Sequence, residues 1–298
     1  MDTDWDCIVV GGGAAGLSAA LVLGRARQRT LLVDAGGQSN LPAHGIGGLL
    51  GFDGRPPAEL YAAGREEIAR YPSVELREGE VVAGAREGDG FVLTLADGGR
   101  ERTRRVLLAT GMRYEPPALD GVEDLWGETV FHCPFCHGWE VRDRRLAVLG
   151  NGEVGTHQAL LLRGWSDDVV LLTDGPPEGV EAVEAAGIPI DPRPVSGLVA
   201  RDGELAAVAF ADGSELERDG LMVFAPMRQR DGLAEMLGAT SDGNPMVVDP
   251  VGVDDMQMTR VPGISAAGDV TGRPPQVATA IAAGSLAAAM IVRELLTG

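Results

Sequence analysis

The chain has 298 residues, 45% of them hydrophobic, and a formal net charge of −19. That length suggests about two domains with a sizeable core, which excludes global disorder, and so acidic a surface argues against nucleic-acid and membrane-surface partners. All 25 basic residues are arginine, which excludes Schiff-base lysine chemistry and a Walker A lysine.

The acidic N-terminus runs straight into a strand, unlike a signal peptide, and no unbroken run of about 18 apolar residues occurs, so a cytoplasmic protein is expected. Asp6 to Val10 predicts a strand buried on both faces, with Cys7 as an inert buried thiol. It enters Gly11-Gly12-Gly13-Ala14-Ala15-Gly16, then an Ala- and Leu-rich helix to Ala26, then a strand over Arg29–Val33 that ends at Asp34. This is a β-turn-α-β dinucleotide unit. The glycines give a tight turn, close backbone approach to a pyrophosphate and close helix packing, and Asp34 is placed to accept from ribose hydroxyls.

Residues 38–57 read as loop, with His44 within reach of a cofactor ring or simply solvated, and Pro57 to Tyr71 reads as a helix. From Val74 to Ala109 alternation predicts short antiparallel strands, with a Gly88-Asp89-Gly90 turn. Then comes Cys133-Pro134-Phe135-Cys136, flanked by His132 and His137. A C-x-x-C pair permits a reversible disulfide whose thiolates a neighbouring imidazolium or helix N-terminus can stabilise, and His137 is a candidate proton carrier. Zinc is not expected, because the four local ligands include adjacent residues and no second C-x-x-C exists.

Arg145 to Leu149 is a second buried strand, entering Gly150-Asn151-Gly152-Glu153-Val154-Gly155, a helix and the strand Val169–Thr173. The β-turn-α-β pattern therefore occurs twice. Asp174 follows that strand and would repel a 2′-phosphate; Gly150, Gly152, Gly155 and Asp174 are read either as an NAD(H) site or as a fold that has lost its nicotinamide cofactor. His157 on the following helix reads as structural. Gly263 to Asp269 predicts a strand whose Gly268-Asp269 end suits a ribityl chain, and residues 276–296 predict one long, buried Ala-rich helix.

In order, GGGAAG at 11–16, LLATG at 107–111, CPFC at 133–136, GNGEVG at 150–155 and AAGDV at 266–270 resemble the low-molecular-weight thioredoxin-reductase-like flavoproteins over nearly the whole chain. The resemblance implies an α/β fold of two Rossmann-like domains: a split FAD domain, 1–114 plus 246–298, around a central domain, 115–245, that carries the cysteines. It also implies a homodimer, with Cys136 facing the flavin and Cys133 exchanging with substrate. FAD would be held by Gly11, Gly13, Ala14, Ala15, Gly16, Asp34, Ala35, Gly36, Asn40, His44, Thr110, Gly111, Gly268, Asp269, Gln276, Val277 and Ala278.

The chain departs from that pattern in three places. His137 stands where the reductases carry Asp, Thr173-Asp174-Gly175 where they carry a basic NADPH motif, and Pro275-Gln276-Val277 where they carry Arg-Gln-Ala. The CPFCHGWE and PQVATAIAAG stretches are similar to a branch of FAD-dependent dithiol oxidases, which close disulfides in small dithiol metabolites of the gliotoxin and holomycin type and pass electrons to oxygen. The expected activity is therefore dithiol/disulfide exchange with FAD through Cys133 and Cys136, without NADPH. A small dithiol or thioredoxin-like protein is the expected partner, and dioxygen or another acceptor the electron sink. The alternatives are an NAD(P)H- or ferredoxin-dependent thioredoxin reductase and, in another class, a flavin-bound redox sensor.

Overall fold

The computed structural model describes residues 5–297. The elements begin β1 (Trp5–Val10), α1 (Ala14–Arg25), β2 (Thr30–Asp34), α2 (Pro57–Ile68), β3 (Val74–Glu78), β4 (Val81–Glu87), β5 (Gly90–Leu95), β6 (Arg100–Leu108) and β7 (Met112–Tyr114). Next come α3 (Val122–Leu125), β8 (Val130–Phe131), α4 (Pro134–His137), β9 (Leu146–Leu149), α5 (Gly152–Leu162), β10 (Val169–Leu172), α6 (Glu181–Ala185) and β11 (Ile190–Asp191). The chain continues through β12 (Val195–Arg201), β13 (Glu204–Phe210), β14 (Glu215–Glu217), β15 (Gly220–Val223), β16 (Met227–Gln229) and α7 (Leu233–Met236). It ends with β17 (Val247–Val248), β18 (Ile264–Ala266), a 3₁₀ turn (Asp269–Thr271) and α8 (Val277–Thr297).

The chain divides into two compact units. The first holds residues up to Leu41, Leu49–Tyr114 and Pro226 onward. Its main sheet runs β3-β2-β1-β6-β5-β4, and β18 pairs with the C-terminal half of β6. Alternate residues of β1 enter opposite cores: Cys7 and Val9 pack with Leu17, Leu23 and Ile291, whereas Ile8 and Val10 pack with Phe91, Leu233 and Val251. Burial on both faces is why β1 is apolar at every position rather than alternating. Each fully buried Leu or Ile there stabilises the unit by about 2 kcal/mol relative to exposure.

Three expectations change in this unit. β3 pairs parallel with β2 at the sheet edge, and only β4 to β6 form an antiparallel meander. The chain rejoins the unit at Pro226 rather than at Met246, because β16 pairs antiparallel with β7 and Leu233 and Leu237 of α7 enter the core. The final helix is only partly buried: Ala280, Ala287, Ala288, Ile291 and Leu295 face the core, while Leu296 is 72% exposed. By length and composition alone α8 is long and apolar enough to cross a membrane, at a mean hydropathy of 1.5. In the fold one face packs on α1, so closely that a Cβ at Gly284 would lie 2.0 Å from the Ala15 carbonyl oxygen.

The second unit holds Pro42–Gly48 and Glu115–Ala225. Its parallel sheet runs β11-β10-β9-β15-β8, and β12-β13-β14 form a separate antiparallel sheet. The segment 42–48 joins this unit through tight backbone packing. A Cβ at Gly47 would meet the Cys136 carbonyl oxygen at 2.6 Å, and one at Gly127 would meet the Pro42 Cβ at 3.1 Å.

Candidate active site

In the first unit β1 delivers the chain into the glycine turn and α1 leaves it. Gly11 has φ +105°, and a Cβ at Gly16 would lie 1.8 Å from the Gly11 carbonyl oxygen, so both positions require glycine. Gly13 is the N-cap of α1, with no side-chain cap, and only the Gln38 Cγ, at 3.8 Å, lies within 4 Å of its Cβ position. The first amides of α1 therefore face an open cradle suited to an anion.

Asp34 ends β2, where its Oδ1 accepts from the Gly12 and Gly36 amides at 3.1 and 3.0 Å and its Oδ2 accepts from Arg65 at 2.7 Å. Gln38 Nε2 also donates to both carboxylate oxygens. Burial works to raise the Asp34 pKa, but the hydrogen bonds from Arg65, Gly36 and Gly12 prevail and hold it below the usual carboxylate range. Asn40 accepts a 2.6 Å hydrogen bond from Tyr61. Gly268 has φ +83°, and the next residue, Asp269, accepts from the Tyr114 hydroxyl at 3.1 Å. Burial raises the Asp269 pKa. Thr110 and Gly111 follow β6, Ala35 is exposed beside Gly36, and Gln276 leads into Val277 and the exposed Ala278 of α8.

The cysteines lie in the second unit. Cys133 is the N-cap of α4 and Cys136 sits in its single turn, sulfur to sulfur 2.6 Å apart. Proline at N1 starts the turn, and the amides of Cys136 and His137 close it on the Cys133 carbonyl. The Cys133 pKa is lowered, first by the Cys136 thiol and then, against burial, by the amides of Cys136 and Phe135. An imidazolium is not the cause. His137 stacks on Phe131 with centroids 5.8 Å apart, and burial lowers its pKa, so at neutral pH it is a neutral base. Cys133 and Gly127 backbone groups favour its protonated form, but neither completes a hydrogen bond with its buried ring nitrogens. His132 stacks on Trp126 and is pushed down to about 4 by burial and by His137. His44 is carried with segment 42–48 and pairs with Glu128 in this unit. Among the described residues no cluster of three or more metal-ligating side chains forms.

The second glycine turn differs from the first in backbone and in its cap: Gly152 has φ +60° where Gly13 has −78°, although the space at its Cβ position is likewise free. A Cβ at Gly155 would lie 2.5 Å from the Gly150 carbonyl carbon. Here the N-cap is Asn151, whose Oδ1 accepts from the Gly152 and Glu178 amides, both at 2.9 Å. Its Nδ2 donates to the Pro176 carbonyl, and the Thr156 hydroxyl donates to that of Gly179, each at 2.9 Å. The loop after β10 is thus bonded across the start of α5. Asp174, at φ +50°, accepts from the Val195 amide at 2.8 Å, unlike Asp34, which bonds back to its own glycine turn.

Residues 5–284 match the model of the pyridine nucleotide-disulphide oxidoreductase family. The chain belongs to this family. It is 33% identical to thioredoxin reductase tcpT of Claviceps purpurea over 98% of this chain and 94% of that one. The crystal structure of HlmI superposes with a TM-score of 0.93 at 39% identity, covering 99% of this chain and 94% of the other. An oxidoreductase from Agrobacterium tumefaciens superposes at 0.92 with 36% identity, covering 99% of both chains.

Membership of the pyridine nucleotide-disulphide oxidoreductases implies FAD, and the first unit fits it. The open cradle at Gly13 suits a pyrophosphate, the ionised Asp34 suits ribose hydroxyls, and Asp269 offers an acceptor at a second polar end. Glycine and acid spacing missed Gln38, Tyr61, Arg65 and Tyr114, which hold Asp34, Asn40 and Asp269 in place. The one signal available was the i, i+4 spacing of Tyr61 and Arg65 on α2.

Proposed function

We propose that this oxidoreductase exchanges electrons between a small dithiol or disulfide and FAD through Cys133 and Cys136, without a nicotinamide nucleotide. The observation that carries the reading is the contrast between the two glycine turns. The first has no side-chain cap, whereas the second is capped by Asn151 and bonded to the loop of Pro176, Glu178 and Gly179. Asp174 is directed to the Val195 amide rather than back to its own glycine turn as Asp34 is, and Glu153 and Glu178 would repel a 2′-phosphate.

In the oxidase direction a substrate thiolate attacks the Cys133 sulfur of the Cys133–Cys136 disulfide. A mixed disulfide forms and the Cys136 thiolate leaves. The substrate's second thiolate then attacks its own mixed-disulfide sulfur, closing the product disulfide and releasing Cys133 as thiolate. The pair has now gained two electrons, and His137, a neutral base, accepts a proton lost by the substrate. Bound FAD supplies the two-electron acceptor that returns the pair to its disulfide, and dioxygen or another acceptor takes the electrons onward. The same reading takes the protein to be a cytoplasmic homodimer; sedimentation equilibrium tests the dimer.

The deciding experiment mixes the FAD-loaded protein anaerobically with NADPH, NADH and dithiothreitol separately, following the flavin absorbance. Bleaching by dithiothreitol alone, with colour returning in air, is expected. Fast bleaching by either nicotinamide would make the protein a thioredoxin reductase instead.

A further inference from the structure

Helix α2 lies outside both dinucleotide motifs and carries no residue of a known cofactor pattern. Yet two of its side chains, at i and i+4, reach polar groups of the first unit's cofactor site. Tyr61, 4% exposed, donates to Asn40 Oδ1 at 2.6 Å, and Arg65 Nη2 donates to Asp34 Oδ2 at 2.7 Å. Residues four apart project from one helix face, so one rigid element grips both. Tyr61 also feels the charges of both Asp34 and Asp269, which places its ring amid the polar groups of the site.

We propose that α2 is a brace for the cofactor: Tyr61 and Arg65 act as positioning residues that fix the hydrogen-bonding polarity of Asn40 and Asp34. The chemistry follows from the donor inventory. An amide whose oxygen is engaged by a phenol hydroxyl has chiefly its two N–H donors left, so Asn40 serves as a donor to an electron-rich group such as a phosphate or carbonyl oxygen. Asp34, held on one oxygen by Arg65, stays ionised and fixed in rotamer as an acceptor for a ribose hydroxyl. Burial pushes the Tyr61 phenol up to about 12, so it remains a donor throughout the working pH range. This inference rests on the reading of the first unit as the FAD site.

The test is a double-mutant cycle in FAD affinity, measured by equilibrium dialysis on apoprotein prepared from the full chain. Losing one such oriented hydrogen bond weakens binding by about fivefold to tenfold. Tyr61→Phe and Asn40→Ala are each expected to show that loss, and the double variant no more than Asn40→Ala alone. Asn40→Asp, which keeps the acceptor and removes the donors, is expected to bind no better than Asn40→Ala. Arg65→Met is expected to weaken FAD and to be non-additive with Asp34→Asn. Thermal unfolding of each apoprotein separates loss of binding from loss of fold. If Tyr61→Phe fails to fold, the Arg65→Met and Asp34→Asn cycle carries the test. Full additivity, or wild-type affinity in Tyr61→Phe and Arg65→Met, would overturn the brace while leaving the FAD reading standing. A wild-type protein that binds no FAD would overturn that reading itself.

Discussion

Cys133 and Cys136 share one turn of helix but not one environment. The thiol of Cys136 and two backbone amides favour the Cys133 thiolate, which supports the proposed role of Cys133 as the exchanging sulfur. Because that pKa is lowered, the rate of Cys133 alkylation by iodoacetamide in the reduced enzyme should rise with pH and reach half its maximum below the free-thiol value of about 8.5. A half-maximum at or above that value would remove the thiolate argument. Cys136→Ser should abolish dithiol turnover while leaving FAD bound, seen as an unchanged protein-to-flavin absorbance ratio after gel filtration. Cys7 needs no role: burial raises its thiol pKa well beyond working pH. Asp34 carries a pH signature of the fold. Its folded pKa is depressed, so its stabilisation is present above the unfolded value of about 3.9 and is lost as pH falls through the folded value. Asp34→Asn should therefore flatten the acid limb of a plot of melting temperature against pH.

Two helices of similar sequence context, α1 and α5, differ in what meets their first turn. α1 begins at Gly13 without a cap, and its amides remain available; α5 begins at Asn151, which spends its side chain on its own helix and on the 176–178 loop. Asn151→Ala should cost about 1 kcal/mol, read as a lower melting temperature, because an N-cap is lost. It should not by itself create NADPH binding, since Thr156 still holds Gly179 and Asp174 still serves Val195. Gly16→Ala is the severe change at this scale. With its Cβ 1.8 Å from the Gly11 oxygen, α1 must shift away from β1, and FAD retention should fall to background in a purified sample, if the variant folds at all.

Across the whole molecule, one uncapped and one capped dinucleotide turn predict an asymmetric response to nucleotides. FAD at a hundred times its dissociation constant should stabilise the apoprotein by about 2.7 kcal/mol through linkage. NADPH at millimolar concentration should leave the melting temperature where it was, and a rise of several degrees would contradict the reading of the capped second turn as unable to take a nicotinamide nucleotide.

Much of this was local enough to read directly. Apolar runs such as Cys7–Val10 and Leu146–Leu149 between glycine spacings determine the two β-turn-α-β units, because burial on both faces and close helix–strand packing act over a few residues. The C-x-x-C spacing likewise brings two sulfurs together within one helical turn. What the tertiary structure decided depends on residues far apart in sequence. The partners of the second turn's cap come from a loop some 25 residues beyond Asn151. The protonation state of His137 was set by desolvation beside Phe131, not by its neighbour Cys136. The rejoining of the first unit at Pro226, the carriage of His44 with the second, and the grip of Tyr61 and Arg65 on Asn40 and Asp34 likewise arise from packing between elements. Spacing along a chain specifies hydrogen-bonding groups, but only the surrounding packing decides which of them remain free to bind.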